Sequence, residues 1–404
     1  MPADAPRRDR RDRRDPRRFE ARRIEGIAQS DIRLMSRRCM AVGGVNLGQG
    51  ICDQPTPDVV KAAAQAAIDA DHSIYTKYEG IDALRAAIAK KMDAYNGLPC
   101  DPDTEVLVTA GSTGGFVAAV LSFIEPEDEV ILFSPFYGYH LNVLKLARPT
   151  IRSVTLRGDD FAFDPDELRA AFSPRTKAII VNTPSNPCGK VFTRNELALI
   201  AELCVEHDAL AITDEIYEYI LYDGREHVSL ATLPGMRERT ITVSGFSKTY
   251  NMTGWRLGYA VAPPPLAARM GVIADLLYIC APSPLQHGVL AAFDLPADYY
   301  AQLLVDYHRK RALTMAACES VGLRSLVPQG SYYLMVDVTG AGFTSDREAA
   351  DVLLERCGVA SVPGSSFYVD PADGATQLRL CFAKQDHDLA RACEGIARLA
   401  ALRT

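Results

Sequence analysis

A single lysine set among small residues, with an arginine eight positions further on, is the arrangement in this chain best suited to covalent chemistry: SGFSKTYNMTGWRLGY, residues 244–259, carries Lys248 and Arg256. Lys248 follows the apolar run Ile241 to Val243, which reads as a short buried strand. Its ammonium therefore falls at a strand end, where shielding from water lowers its basicity. A neutral amine attacks an aldehyde. Arg256 keeps its charge and presents a planar fork that matches phosphate. Covalent anchor and anion clamp together describe a site for an aldehyde that bears a phosphate ester.

Other fragments carry polar groups at similar places. Gly111-Ser-Thr-Gly114 comes after one apolar run and opens a helical one, so its amides and the hydroxyls of Ser112 and Thr113 could hold phosphate; a purely structural turn reads the same way. NTPSNPCGK, 182–190, fixes its backbone with two prolines and a glycine and holds out the Asn186 amide. ITDEIY, 212–217, ends a run with a shielded Asp214 and sends Tyr217 toward the same region. A buried aspartate either satisfies a structural hydrogen bond or keeps a ring nitrogen protonated. In parallel sheets such groups gather at the carboxyl ends of the strands.

The elements that must position them are visible from residue 105 onward, where short β-branched runs alternate with longer alanine- and leucine-rich segments. Strands are expected at 105–109, 129–133, 150–155, 178–182, 210–214, 240–244 and 259–262, and helices at 114–124, 139–146, 165–171, 194–206 and 265–279. Upstream, 42–50 is a glycine-rich loop, while 57–70 and 82–95 have helical character. Downstream, one helical stretch over 284–321 leads to strands at 332–337 and 377–382, with helices over 347–356 and 386–402. The expected fold is α/β. A three-layer α/β/α large domain, 65–290, surrounds a mainly parallel seven-stranded sheet, and 24–64 with 291–404 form a smaller α+β domain.

Composition excludes several other classes. With 404 residues, 48% of them hydrophobic, the chain can bury two sizeable lobes. A net charge of -7 gives no reason to expect nucleic acid or an anionic membrane, and no apolar run is long enough to span a bilayer. Ten scattered cysteines without a CxxC pair fit a reducing, cytoplasmic compartment and no metal site. Residues 1–23 depart from the average: ten arginines against five acids make the tail +5 and the remainder -12. Interleaved aspartates argue against a transit peptide or a nucleic-acid tether, so a disordered arm is expected.

Taken in order, these fragments resemble the aspartate aminotransferase family, the class I/II aminotransferases among fold-type I pyridoxal phosphate-dependent enzymes. The resemblance covers about residue 24 to the C-terminus and rests on the segment around Lys248, NTPSNPCGK, ITDEIY, YTKYEGIDALR from Tyr75, and LRLCFA around Arg379. It implies pyridoxal 5'-phosphate as cofactor, transfer of an amino group from an L-amino acid to a 2-oxo acid, and a homodimer. Lys248 would bond the cofactor's aldehyde and, once released by substrate, move a proton between Cα and C4′. Asp214 would pair with the ring nitrogen, Tyr217 and Asn186 with the ring 3′ oxygen, and Tyr137 would stack on the ring. Arg256, the turn Gly111, Ser112 and Thr113, and Tyr75 from the neighbouring subunit would hold the phosphate. Arg379, with Gly50 and Asn186, would grip the substrate α-carboxylate.

Three departures from the family pattern bear on substrate. Gly245 stands where many relatives have a phosphate-binding serine, so Ser244 or Ser247 must substitute. Thr113 stands where some aspartate and prephenate aminotransferases carry a lysine for a distal carboxylate, which shifts the expected preference to neutral or aromatic amino acids over aspartate. The loop Gly50 to Asp53 is unusual, and Cys52 is either pocket wall or core. Tyr332, Tyr333, Phe367 and Tyr368 either line a side-chain pocket near the lobe interface or belong to the core, the reading favoured for strand aromatics, and His140 and His287 stand the same way. A β-eliminating lyase on the same fold is the nearest rival function. A non-catalytic aminotransferase-like regulator is the remote one, since such proteins carry an added DNA-binding domain and 23 residues cannot fold one.

Overall fold

The computed structural model describes residues 19–27 and 29–402. The expected arm, 1–23, lies mostly outside them; its described end carries one 3-10 turn, Arg22–Ile24. The chain enters through α1 (Asp31–Val42), β1 (Val45–Asn46), α2 (Asp58–Asp69) and α3 (Asp82–Asn96). Alternating units follow: β2 (Val106–Thr109), α4 (Gly111–Phe123), β3 (Glu129–Ser134), α5 (Gly138–Ala147) and β4 (Thr150–Thr155). They continue as α6 (Pro165–Ala171), β5 (Thr176–Asn182), α7 (Arg194–Glu206), β6 (Leu210–Asp214), β7 (Thr240–Gly245) and β8 (Gly258–Val261).

These strands form one sheet in the order β2-β8-β7-β6-β5-β3-β4, in which only β8 runs against its neighbours. Its central strands β3, β6 and β7 are buried at almost every position because both faces are covered. Val130 and Leu132 of β3 join Ala178 and Ile180 of β5 against α4 and α5, whereas Ile131, Phe133, Ile179 and Val181 face α6 and α7. Alternate residues thus feed two separate cores, which is the three-layer α/β/α arrangement.

The rest of the chain supplies α8 (Pro264–Tyr278), α9 (Ser283–Leu290), α10 (Ala297–Glu319), β9 (Arg324–Leu326), β10 (Tyr333–Asp337) and α11 (Asp346–Glu355). It closes with β11 (Val359–Ala360), β12 (Val362–Pro363), β13 (Gln377–Cys381) and α12 (Asp386–Ala397). A four-stranded antiparallel sheet, β12-β13-β10-β9, and the parallel pair β1-β11 pack with α10, α11 and α12 around a second core. Ile216, Tyr217 and Ile220, from the loop after β6, belong to that core as well. The loop therefore joins the end of the main sheet to the smaller one.

One expectation gives way. The single helical stretch over 284–321 is two helices separated by a 3-10 turn, Ala291–Asp294, and by Pro296, which has no amide hydrogen to donate and holds Leu295 extended. α1 buries only Met35 and Cys39 of its twelve residues, too sparse a stripe to show as a period in the sequence. α2 spans residues 64 and 65 and packs along α9.

Candidate active site

The carboxyl ends of β5, β6 and β7 open into a cavity of about 350 Å³ bounded on its other side by residues 48–51 and by Tyr333 and Arg379 of the small sheet. Lys248 follows β7 and reaches into this cavity. Its Nζ donates to the Gly50 carbonyl at 3.3 Å and lies 5.7 Å and 5.5 Å from the ring centroids of Tyr217 and Tyr332. Burial lowers its pKa to about 8, since little in the cleft replaces the water that an ammonium would lose.

One corner of the cavity is built for an anion. Ser112 and Thr113, in the first turn of α4, face Ser247 and Arg256 across it. Arg256 adopts a left-handed backbone, φ 55°, and is fixed by a bond from Nη1 to the Thr253 carbonyl at 3.0 Å. Its guanidinium lies so close to Gly111 that a Cβ there would come within 2.6 Å of Nη2. Gly258 of β8 plays the matching part, because a Cβ on it would meet the Ser112 amide nitrogen at 2.4 Å. Both glycines let an arginine, two hydroxyls and a helix N-terminus converge without a side chain between them.

Asp214 ends β6 at the cavity floor. Its Oδ2 lies 3.0 Å from His140 Nε2, and its Oδ1 accepts from the Ile216 amide at 3.3 Å. Tyr137 meets the His140 ring edge-on at 5.2 Å. Tyr217 places its hydroxyl 3.2 Å from that of Tyr333, and burial holds its pKa well above the usual phenol value, so it remains a donor. The Asn186 amide nitrogen is also free to donate, because its Oδ1 already accepts from Arg379 Nη1 at 2.9 Å.

Arg379, in the middle of β13, is fully buried, yet no carboxylate of the described residues pairs with it. Tyr333 and Phe367 clamp its guanidinium at 4.5 Å and 4.8 Å, Nη2 donates to the Gly48 carbonyl, and Nε has no partner among the described residues. An unpaired guanidinium in such a place is costly unless a ligand anion completes it. Gly50 is small for a reason: a Cβ there would collide with the Tyr333 hydroxyl.

The structure therefore brings Gly50, Ser112, Thr113, Tyr137, Asn186, Asp214, Tyr217, Ser247, Lys248, Arg256 and Arg379 to one cavity, with Gly111 directly behind Arg256. Ser244 is not among them. Its Oγ donates to Glu218 Oε1 at 3.0 Å, because side chains of β7 alternate and Ser244 faces away from α4. Ser247 is thus the serine at the anion corner. Tyr75 is 76% exposed and off this cavity's wall. Cys52 is buried against Asn251 and Tyr307 and does not line the cavity. Tyr332, Tyr333, Phe367 and His140 are buried as core residues, but they also contact Lys248, Arg379 and Asp214; no short motif marks them, since only the folded register brings them there.

An α/β scaffold that gathers a low-pKa amine, a shielded carboxylate and three arginines in one cleft defines an enzyme of amino-group chemistry. The chain belongs to the aminotransferases of class I and II, whose family model matches residues 42–396, and it is an aminotransferase. A probable N-succinyldiaminopimelate aminotransferase of Mycobacterium tuberculosis is 37% identical over 94% of this chain and 98% of its own length. The solved structure of such an enzyme from that organism superimposes with a TM-score of 0.92, covering 94% of this chain and 100% of the other at 36% identity. Kynurenine–oxoglutarate transaminase 3 of the mouse is 35% identical over 91% of this chain and 88% of its own. The Escherichia coli protein YbdL, identified with a methionine aminotransferase function, has a TM-score of 0.90 at 31% identity, over 94% and 99% of the two chains.

Proposed function

We propose that the cleft binds pyridoxal 5'-phosphate and transfers an amino group from a neutral or aromatic L-amino acid to a 2-oxo acid, with glutamate and 2-oxoglutarate as the second pair. One observation carries this reading: an amine with a pKa of about 8, an anion corner at Arg256 and an unpaired buried Arg379 line a single cavity. The donor set fits the cofactor group by group. Ser112, Thr113, Ser247 and Arg256 match its phosphate, Asp214 its ring nitrogen, Tyr217 and Asn186 its ring oxygen, Tyr137 its face, and Lys248 its aldehyde. When bound, pyridoxal phosphate supplies the aldehyde that takes up the amino group and a ring that withdraws electrons from Cα.

The protein's own part is orientation and proton movement. Arg379 and Asn186 would hold the α-carboxylate and so orient the substrate for loss of its Cα proton. Lys248 would take up that proton and return it. Asp214, steadied by His140, would favour a positive charge on the ring nitrogen. Thr113 offers no cation to a short side-chain carboxylate, which supports the preference for neutral and aromatic donors. The relatives named for kynurenine and methionine point the same way. The reading includes a homodimer in which Tyr75 serves the neighbouring copy's phosphate corner; exposed Ile74, Tyr75 and Leu276 are apolar surface suited to such a contact.

Adding L-methionine or L-phenylalanine to the holoenzyme is expected to bleach its visible cofactor band and to release the matching 2-oxo acid. Lys248→Ala abolishes both. Release of pyruvate and ammonia from β-substituted amino acids without transamination, or undiminished turnover by Lys248→Ala, overturns the proposal.

A further inference from the structure

The proposed chemistry leaves one cation of the cavity without an assignment. Among the described residues four line its wall, Arg33, Lys248, Arg256 and Arg379, against a single carboxylate, Asp214, which pairs with His140. Cofactor phosphate, aldehyde and substrate α-carboxylate account for the last three. Arg33 is in the first turn of α1, at the exposed mouth, and its guanidinium has one side-chain partner among the described residues: Nη2 donates to the Tyr139 hydroxyl at 3.4 Å. No described carboxylate neutralises it. Asp31, two residues before it, is taken by Arg347 at 3.3 Å and by the Ser366 hydroxyl.

Its surroundings offer further donors. Ser30 is the N-cap of α1 but makes no side-chain cap bond, and its Oγ is buried on the cavity wall without a partner among the described residues. Gln49, also on the wall, accepts from Ser36 through Oε1 at 3.1 Å, while its amide nitrogen donates to no described residue. Tyr139 is stacked on Tyr137 at 5.2 Å, which ties the mouth to the face proposed for the cofactor ring. Arg379, buried, and Arg33, exposed, thus line the same cavity.

We infer that Arg33, with Ser30 and Gln49, receives the distal acid group of a dicarboxylic substrate whose α-carboxylate is held by Arg379. This rests on the aminotransferase reading of the Lys248 cleft and adds to it the class of the acidic partner: amino acids and 2-oxo acids with a second carboxylate at the far end of the side chain. It reconciles a threonine at position 113 with use of glutamate, because the second carboxylate is met at the mouth and not at the phosphate corner. Neutral side chains leave Arg33 in solvent on Tyr139, where an exposed guanidinium costs little.

The test compares wild type, Arg33→Gln and Arg33→Lys as holoenzymes. Calorimetric titration with glutarate, which cannot react, is set beside butyrate, and KM for glutamate and 2-oxoglutarate beside KM for methionine. Arg33→Gln is expected to weaken glutarate binding about tenfold and to raise both dicarboxylate KM values by a similar factor relative to methionine, as loss of a charge-assisted contact implies. Arg33→Lys recovers part of the loss, and added salt weakens glutarate in wild type more than in Arg33→Gln. Glutarate affinity equal in wild type and Arg33→Gln, or the same loss for butyrate as for glutarate, overturns the inference while the Lys248 chemistry stands. A wild-type holoenzyme that shows no half-reaction with any amino acid overturns the underlying reading, and this inference with it.

Discussion

Lys248 is useful only when its amine is free, and the cavity arranges this by withholding water and opposite charge. An unshielded lysine amine is almost fully protonated at neutral pH; burial brings Lys248 down to about 8. Below that pH the amine is an ammonium and inert toward aldehydes, and above it the free base dominates. Reaction of cofactor-free protein with pyridoxal phosphate is therefore expected to rise through a midpoint near 8, about two units below that of an exposed lysine. A stopped-flow pH series on apoprotein checks this, and a midpoint near 10.5 would show that the cleft does not perturb its lysine. The types and spacing of Lys248 and Arg256 were enough to suggest their chemistry, because both act through what the side chain is. Ser244 misled because its role depends on which face of β7 it occupies. Tyr333 and His140 read equally as core or as pocket wall, because the polar partners that decide their place are remote: Asp214 lies 74 positions from His140, and Arg379 lies 46 from Tyr333.

The elements around the site are held in register by charge as well as by apolar packing. Glu218, directly after Tyr217, accepts from Ser244 of β7, from Asn96 of α3 at 2.8 Å and from Tyr259 of β8 at 3.3 Å, and it pairs with Lys91 of α3. Both charged side chains are almost wholly buried, 11% and 3% exposed, so removing one leaves the other uncompensated. Lys91→Met is expected to cost about 3–5 kcal/mol, and Lys91→Met with Glu218→Leu less than Lys91→Met alone. Denaturant midpoints of the single and double variants measure this; a double variant worse than the single would place the strain in packing and not in charge. Such networks are opaque in sequence, where a lysine in a helix reads as a solvated face. The strands from Val106 to Val261 were legible because they are short runs rich in β-branched residues, set between longer alanine- and leucine-rich segments. Strands of two residues such as β1, β11 and β12 leave no pattern to read.

The whole molecule raises the question of where Tyr75 works. It is 76% exposed, beside Ile74 at 80%, on a stretch that leads through Tyr78 to α8, whose Gly271 a Cβ could not replace without striking the Tyr78 ring. Leu276 and Leu277, one to two turns further along α8, are 77% and 49% exposed, so apolar groups on neighbouring elements face outward together. If that face joins two copies and Tyr75 completes the neighbour's phosphate corner, each site draws on both chains. Lys248→Ala is then inactive, and Tyr75→Ala binds cofactor more weakly, by about tenfold for one lost contact to phosphate. Mixed and allowed to exchange, the two variants form a hybrid in which the Tyr75→Ala chain contributes an intact Lys248 and receives Tyr75 from the Lys248→Ala chain. At limiting cofactor the mixture is expected to exceed the summed activity of the separate variants, and the gain should appear only on the timescale of subunit exchange. Sedimentation of wild type as a monomer, or a mixture no more active than its parts once exchange is complete, would confine each site to one chain.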